Sequence, residues 1–421
     1  MIKKVLKDEF LKNNFILFVG SMIVAVLNYL YHPILSRMMN LQDFGEVQAL
    51  ISIFLQMSII LGVFGNVVTN IITNHHQDHD KLKIINQLYK LAFFTITLIT
   101  IIFAILSPIL KSFFNFHSIY AFLILAISLP LSVNFTFRRF YLQGRKQFQD
   151  ISLLGIIFAG GRLFFAVLLV WLGWSVFGAI ASITLTTLIS LLYAWYKTKD
   201  AFSLTLKEKI QLTPEFKKEL KYGLIIFVSM SAVIFFYTFD VLLVKHYFNP
   251  QNAGLYSGIA TIARIIFFVT GSIAGVLLPT IKLSNTLQEN KKTLLKSLTL
   301  IIALGGTVLL TFWLFSDMVV RTLIGAKYLI VVNLLPQLSL IAFLASIINV
   351  LFIYLLALRD KKLLIPAIIA PISILIFTFL NHANMVNIIH DFILGNLIAL
   401  IILLIIIRPC SFIWKKRQSQ S

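Results

Sequence analysis

The sequence predicts an all-α polytopic membrane protein of about twelve transmembrane helices arranged as two six-helix lobes. Three observations carry that expectation: an apolar composition, a succession of apolar runs each long enough to cross a bilayer, and a one-sided distribution of lysine and arginine. Hydrophobic residues make up 59% of the 421 residues and charged residues 12%, and the mean hydropathy is +0.93. A chain of that composition cannot hide its apolar surface in one water-soluble core, so lipid must act as its solvent. A helix needs about 20 mainly apolar residues to cross a hydrocarbon layer of roughly 30 Å. Little length is left for a soluble domain.

The runs follow one another between charges or turn residues. The first, 14–36, comes after the cationic MIKKVLKDEFLKNN; it is too long for a signal-peptide core and lacks a small-x-small cleavage site, so it reads as a retained span. The next five lie at 46–73, 86–109, 117–137, 151–172 and 174–196, the last two parted only by Gly173. After the hydrophilic stretch KTKDAFSLTLKEKIQLTPEFKKELKY come 221–244, 254–281, 297–316, 329–357, 363–381 and 388–407.

Lysine and arginine set the orientation, because they are retained on the cytoplasmic side. With the N-terminus and every second connection placed there, the outer connections hold only Arg37, Lys111, Lys245, Arg321 and Lys327 of the 36 basic residues. Lys90, Arg162 and Arg264 fall inside apolar runs, and all the others lie on the inner side. One span missed or invented mid-chain would scramble that split. It therefore predicts an even number of spans in the cytoplasmic (inner) membrane, with both termini in the cytoplasm. The net charge of +20 is then explained by cationic loops facing anionic lipid headgroups, without nucleic acid as a partner. Cys410 is the one cysteine, and it reads as an inert thiol. No nucleophile triad, phosphate-binding loop or paired-carboxylate motif occurs, so the chain is not expected to be an enzyme, and no cofactor or metal is implied. The run His75-His76-Gln77-Asp78-His79-Asp80 is the only stretch resembling a metal site, and it reads as a solvated inner loop.

The chain divides into an N-terminal lobe at 1–196, a cytoplasmic linker at 197–220, and a C-terminal lobe with its tail at 221–421. Thr213 before Pro214 and Glu215 is a helix start, with the hydroxyl as N-cap and proline in the first turn, so a short surface helix should run into the seventh span. Internal repetition points to duplication. Asn40-Leu41-Gln42-Asp43-Phe44-Gly45 after the first span parallels Asn249-Pro250-Gln251-Asn252-Ala253-Gly254 after the seventh, 209 residues on (40 to 249). Tyr141 to Arg145 parallels Leu355 to Arg359 at an offset of 214 (145 to 359). A duplicated unit with an even number of helices keeps its orientation, so the copies should be related by an axis along the membrane normal.

The same residues carry a family resemblance. Ser36-Arg37 through Gly45 resembles the SR-x-L-G-x-x-x-F-G turn of the Wzx-type polysaccharide and oligosaccharide flippases, a branch of the multidrug/oligosaccharidyl-lipid/polysaccharide exporter (MOP) superfamily. Leu142-Gln143-Gly144 with Phe148 is similar to its LQG-x-x-x-F turn, and Lys221-Tyr222-Gly223 to its RYG. Asp240 with Gly254-Leu255-Tyr256-Ser257 and Pro279 resembles its D…GLYS…P pattern, and Gly325 with Tyr328 its G-x-x-Y. The resemblance implies two lobes around a cavity open alternately to each side. It also implies transport of a polyprenyl-pyrophosphate-linked oligosaccharide or polysaccharide precursor, H+ or Na+ as coupling ion, and a monomer. A cation-coupled multidrug or lipid exporter of the same superfamily is the alternative. Such exporters often carry an acidic residue in the first helix, and 14–36 has none.

Four charged residues within spans are the candidates for function. An arginine at mid-bilayer costs roughly 2.5–3.5 kcal/mol on insertion scales, so it faces a partner or a cavity. Arg162 and Arg264 sit near the middle of the fifth and eighth runs. Each reads either as a structural clamp or as a substrate-binding guanidinium for the pyrophosphate, to which its planar fork is suited, the two then lining one cavity between the halves. Lys90 either snorkels to the inner surface or joins that cavity. Asp240 reads as the partner of Lys245 or Arg264, or as the ion-coupling carboxylate. Asn28 with His32, and Asn66 with Asn70, share helix faces suited to interhelical hydrogen bonds.

Overall fold

The computed structural model describes residues 9–74, 78–199, 202–207, 210, 213–281 and 285–407. His75 to Gln77 of the histidine-rich loop, and Cys410, lie outside them. The first half consists of α1 (Glu9–Met38), α2 (Leu41–Asn74), α3 (Asp78–Phe113), α4 (Tyr120–Gly144), α5 (Phe148–Leu169) and α6 (Ser175–Thr198). The long helix α7 (Pro214–Tyr247) follows. After it come α8 (Pro250–Ala263), α9 (Ile265–Thr280), α10 (Leu287–Leu314), α11 (Ser316–Leu323), α12 (Leu335–Ala357), α13 (Leu364–Leu380) and α14 (Met385–Ile407). Among the described residues, eleven stretches are long and apolar enough to cross a membrane, and one of them, the 51-residue Phe148–Thr198, contains both α5 and α6. Each of the apolar runs read from the sequence thus corresponds to a crossing helix, and the chain is a multi-pass membrane protein.

The division of α5 from α6 rests on one turn. The backbone widens over Val170–Trp174, and Gly173 takes φ +88° before Ser175 at φ +35°. A residue with a Cβ is strained at Gly173, although the space around it is open. The outward faces show what surrounds the helices. Phe94, Leu98, Ile101, Ile105 and Ile109 of α3 are all exposed at helical spacing, as are Ile365, Ile368, Ile372, Ile376 and Phe379 of α13. In water such stripes would drive aggregation; against acyl chains they cost nothing.

The structure forms two compact units, Met1–Leu224 and Ile225–Ser421. In the first, α1 lies along α5, α5 along α6, and α4 against both α6 and α2. Its core gathers Val68, Ile71, Leu88, Tyr89, Leu129, Val133 and Phe137. In the second, α12 is the central helix, packed by α8, α9, α10 and α14. Many serine and threonine hydroxyls within the spans return to their own helices: Thr187 Oγ1 donates to the Ile183 carbonyl and Ser257 Oγ to the Ala253 carbonyl, at 2.7 and 2.6 Å. A lipid environment demands this local satisfaction of polar groups.

The repeated turns share more than residue types. Asn40 Oδ1 accepts from the Asp43 amide at 2.7 Å, and Asn249 Oδ1 accepts from the Asn252 amide at 2.8 Å. Each asparagine is thereby the N-cap of the helix that follows. After α4, the Lys146 amide donates to the Gln143 carbonyl and the Gln147 amide to the Leu142 carbonyl, with Lys146 at φ +57°. After α12, Arg359 and Asp360 donate to the carbonyls of Leu356 and Leu355, with Arg359 at φ +52°. Both ends are Schellman closures. Their backbone equivalence pairs Lys146 with Arg359, one residue away from the pairing of the two arginines read from the sequence.

Thr213 caps α7 through its hydroxyl, which accepts from the Phe216 amide at 3.2 Å. The surface turn expected there is the beginning of one continuous 34-residue helix. Upstream, described linker residues are docked on the first unit. Arg138, only 6% exposed, donates to Asn134 Oδ1 at 2.8 Å, to Thr198 Oγ1 and to the Phe202 carbonyl. The Phe202 ring stacks on Tyr141 at 4.2 Å, and the Thr205 amide donates to Asn86 Oδ1 at 3.0 Å. The sequence places Arg138 in an inner connection beyond the run 117–137; the structure buries it, because α4 runs on to Gly144. Arg138→Ala should release the linker, leaving buried acceptors unsatisfied at about 1–3 kcal/mol. Limited trypsinolysis should then cut within 199–209 several-fold faster, and an unchanged rate would show that Arg138 does not hold this segment.

Candidate functional site

Arg162 and Arg264, one in each unit, are set in surroundings that are built differently. In the first unit the helices concerned are α1, α5 and α6. Tyr31 of α1 is fully buried, and its hydroxyl donates to the Ala179 carbonyl of α6 at 3.0 Å. That bond anchors the tip of the ring, and the guanidinium carbon of Arg162, from α5, lies 4.3 Å from the ring centroid. Arg162 is half-buried, and its Nε is buried without a hydrogen-bond partner. Among the described residues no carboxylate lies within ion-pair distance of it. A desolvated cation–π contact contributes about 2 kcal/mol, which offsets much of the cost of burying the charge without cancelling it.

In the second unit Arg264 stands between α8 and α9, where its ψ of −11° marks a slight break in the helix. Its Nη2 lies 3.0 Å from Asp240 Oδ1, and the buried Tyr256 hydroxyl donates to Asp240 Oδ2, also at 3.0 Å. Both carboxylate oxygens are therefore occupied, and the Asp240–Arg264 pair is neutral as a whole. Asp240 is 3% exposed, so the pair is a desolvated one, held by geometry and by the added tyrosine bond. Tyr237 stacks on Phe267 at 4.1 Å beside it. Of the two partners read for Asp240, Arg264 is the one in contact, while Lys245 is fully buried with an engagement of its own.

The remaining sequence candidates fall elsewhere. Lys90 is half-buried on α3 and engaged by a neighbour. Asn70 donates to Glu219 Oε2 at 3.3 Å, while Asn66 bonds its own helix at the Gly62 carbonyl. Asn28 and His32 are both half-buried on α1. The motif residues of the second unit also acquire physical roles. Tyr256 is the Asp240 donor, Gly325 turns the chain at φ +105° ahead of Tyr328, and the Tyr328 ring packs against Gly258, which lies outside the motifs.

Two residues are not singled out by the sequence. Tyr31 reads there as one more apolar residue in a span, and only its packing on Arg162 distinguishes it. Asp391 is a buried carboxylate, as Glu46 and Asp240 are: it is 7% exposed at the start of α14, and its Oδ2 has no hydrogen-bond partner. Its place just inside the run 388–407 is the available signal.

No curated protein matches this chain in sequence. Solved structures do resemble it. The inward-facing conformation of a multidrug resistance MATE family transporter of the MOP superfamily superposes with a TM-score of 0.72 at 13% identity, covering 96% of this chain and 99% of that one. The lipid II flippase MurJ in its inward closed conformation gives 0.74 at 14% identity, covering 94% and 87%. A MOP superfamily transporter from Pyrococcus furiosus gives 0.60 at 13%, covering 94% and 96%. At such identities the likeness establishes the fold alone, one that this chain shares with these transporters. The sequence profile of the polysaccharide biosynthesis protein family matches residues 10–285, well over half of the chain. This chain therefore belongs to the polysaccharide biosynthesis protein family.

Proposed function

We propose that the protein is a flippase that moves a polyprenyl-pyrophosphate-linked oligosaccharide or polysaccharide precursor across the cytoplasmic membrane by alternating access. The observation that carries this reading is Arg162, a guanidinium within a span that is held by an aromatic ring and, among the described residues, not neutralised by a carboxylate. An anionic headgroup crossing a low-dielectric layer needs a cation at that depth, and a guanidinium offers bidentate donors to a phosphate. Arg162 and Lys90 are assigned to the headgroup. Arg264 is released to it when H+ or Na+ binds Asp240, which makes Asp240 the coupling residue. Membership of a polysaccharide biosynthesis family supports the glycan as cargo. Residues 1–196 and 221–421 act as the two lobes, joined by the linker at 197–220.

Both termini are assigned to the cytoplasm by the distribution of basic residues. A reporter after Lys416, or between Ser203 and Lys207, should be cytoplasmic, and one near Trp174 external. Finding Trp174 and Lys416 on the same side would contradict the assignment. The activity itself is tested by reconstitution into liposomes and leaflet transfer of a labelled polyprenyl-pyrophosphate saccharide. Uptake of an organic cation without such transfer would favour a multidrug exporter.

A further inference from the structure

We infer that Tyr31 is a positioning residue for anion binding by Arg162: it holds the guanidinium by its face and leaves the hydrogen-bonding edge for a phosphate group. This rests on the flippase reading for the identity of the cargo, but not for the geometry. A guanidinium has two kinds of surface. Its five N–H donors lie in the plane and point outward along the edge, while its faces donate nothing and accept a ring. A carboxylate partner takes up the edge and cancels the charge, which is what Asp240 does to Arg264 at 3.0 Å. The Tyr31 ring, with the Arg162 guanidinium carbon over it at 4.3 Å from the centroid, engages the cation without cancelling its charge.

The support behind the ring suits this role. The Tyr31 hydroxyl reaches across to α6 and donates to the Ala179 carbonyl at 3.0 Å, and Ser182 Oγ donates to the same carbonyl at 2.7 Å. His32 meets the ring edge-on at 5.4 Å. The ring is fully buried, so its plane cannot reorient without disturbing α1, α5 and α6 together. Arg162, by contrast, is only half-buried, and its Nε lacks a partner. The site is thus a preorganised cation with donors to spare, and the ligand it fits is a phosphate or pyrophosphate ester.

Three replacements of Tyr31 separate a quadrupolar role from simple packing. Tyr31→Phe keeps the ring and loses the Ala179 bond; pentafluorophenylalanine keeps the shape and weakens the negative face; Tyr31→Leu removes the ring. The full chain is purified in detergent, and its thermal stabilisation by farnesyl pyrophosphate is measured over a concentration series. The half-maximal concentration should stay within about threefold of wild type for Tyr31→Phe. It should rise by roughly tenfold or more for the pentafluoro form and for Tyr31→Leu. In the Tyr31→Leu background, adding Arg162→Lys should cost little more, because the two act as one unit. Equal affinity for the phenylalanine and pentafluoro forms, additive losses in the double variant, or no stabilisation of the wild type would overturn the inference. The pentafluoro form covers the case in which Tyr31→Leu does not fold. Leaflet transfer of the labelled saccharide is followed in parallel. A wild type that binds farnesyl pyrophosphate through this pair but flips no saccharide would refute the cargo assignment and leave the role of Tyr31 standing.

Discussion

Arg162→Ala is expected to lower leaflet transfer of a polyprenyl-pyrophosphate saccharide by about 30- to 100-fold while leaving protein abundance and melting temperature near those of the wild type. Charge-assisted hydrogen bonds contribute about 1.5–3 kcal/mol each, so removal of a bidentate interaction with phosphate reaches that range even after allowance for water taking its place. Stability is spared for a reason visible in the structure. The substitution takes the guanidinium off the Tyr31 ring face, and among the described residues it strands no carboxylate. Removing the charge also relieves its own desolvation, which offsets the forfeited cation–π energy of about 2 kcal/mol. Arg162→Lys should recover transfer only in part, since an ammonium lacks the planar fork. A fall in abundance matching the fall in transfer would mean that Arg162 is a structural clamp.

Arg264→Ala should behave in the opposite way. It leaves Asp240 buried with a charge and a single tyrosine donor, and breaking such a pair costs about 3–5 kcal/mol. The melting temperature in detergent should drop on the order of 10 °C, and abundance with it. Replacing both partners, Asp240→Leu with Arg264→Met, removes the stranded charge and should restore most of the stability without restoring transfer. A single Arg264→Ala variant as stable as the wild type would show that the 3.0 Å pair is not a stabilising element.

The two arginines illustrate what a sequence can and cannot show. Both are legible as charges that mid-span positions make costly, and the crossing helices around them are legible because a bilayer imposes a fixed length of apolar chain. The repeated caps are legible too, since Asn40 and Asn249 satisfy helix N-termini through local bonds only three residues long. The difference between the arginines is not legible. It depends on which residue a helix neighbour presents: Tyr31 to Arg162 across 131 positions (31 to 162), and Asp240 to Arg264 across 24 (240 to 264). Periodicity says nothing of such pairings. The burial of Arg138 is hidden for a related reason: positive charge marks the cytoplasmic side of a boundary but does not say whether the helix continues through it, and α4 continues to Gly144. Asp391 is hidden because an acidic residue at the edge of an apolar run looks solvated, whereas its carboxylate is 7% exposed.

The central claim is that Arg162, which no carboxylate among the described residues neutralises, carries the anionic headgroup of a lipid-linked glycan. Liposomes containing the protein and a labelled polyprenyl-pyrophosphate saccharide test it most directly, with transfer read as label accessible to a membrane-impermeant quencher. Wild type should accelerate transfer over protein-free liposomes, with competition by unlabelled prenyl pyrophosphate but not by the corresponding prenyl alcohol, and Arg162→Ala should abolish most of the acceleration. Transfer that is equal in protein-free liposomes, or equal for wild type and Arg162→Ala, would contradict the account.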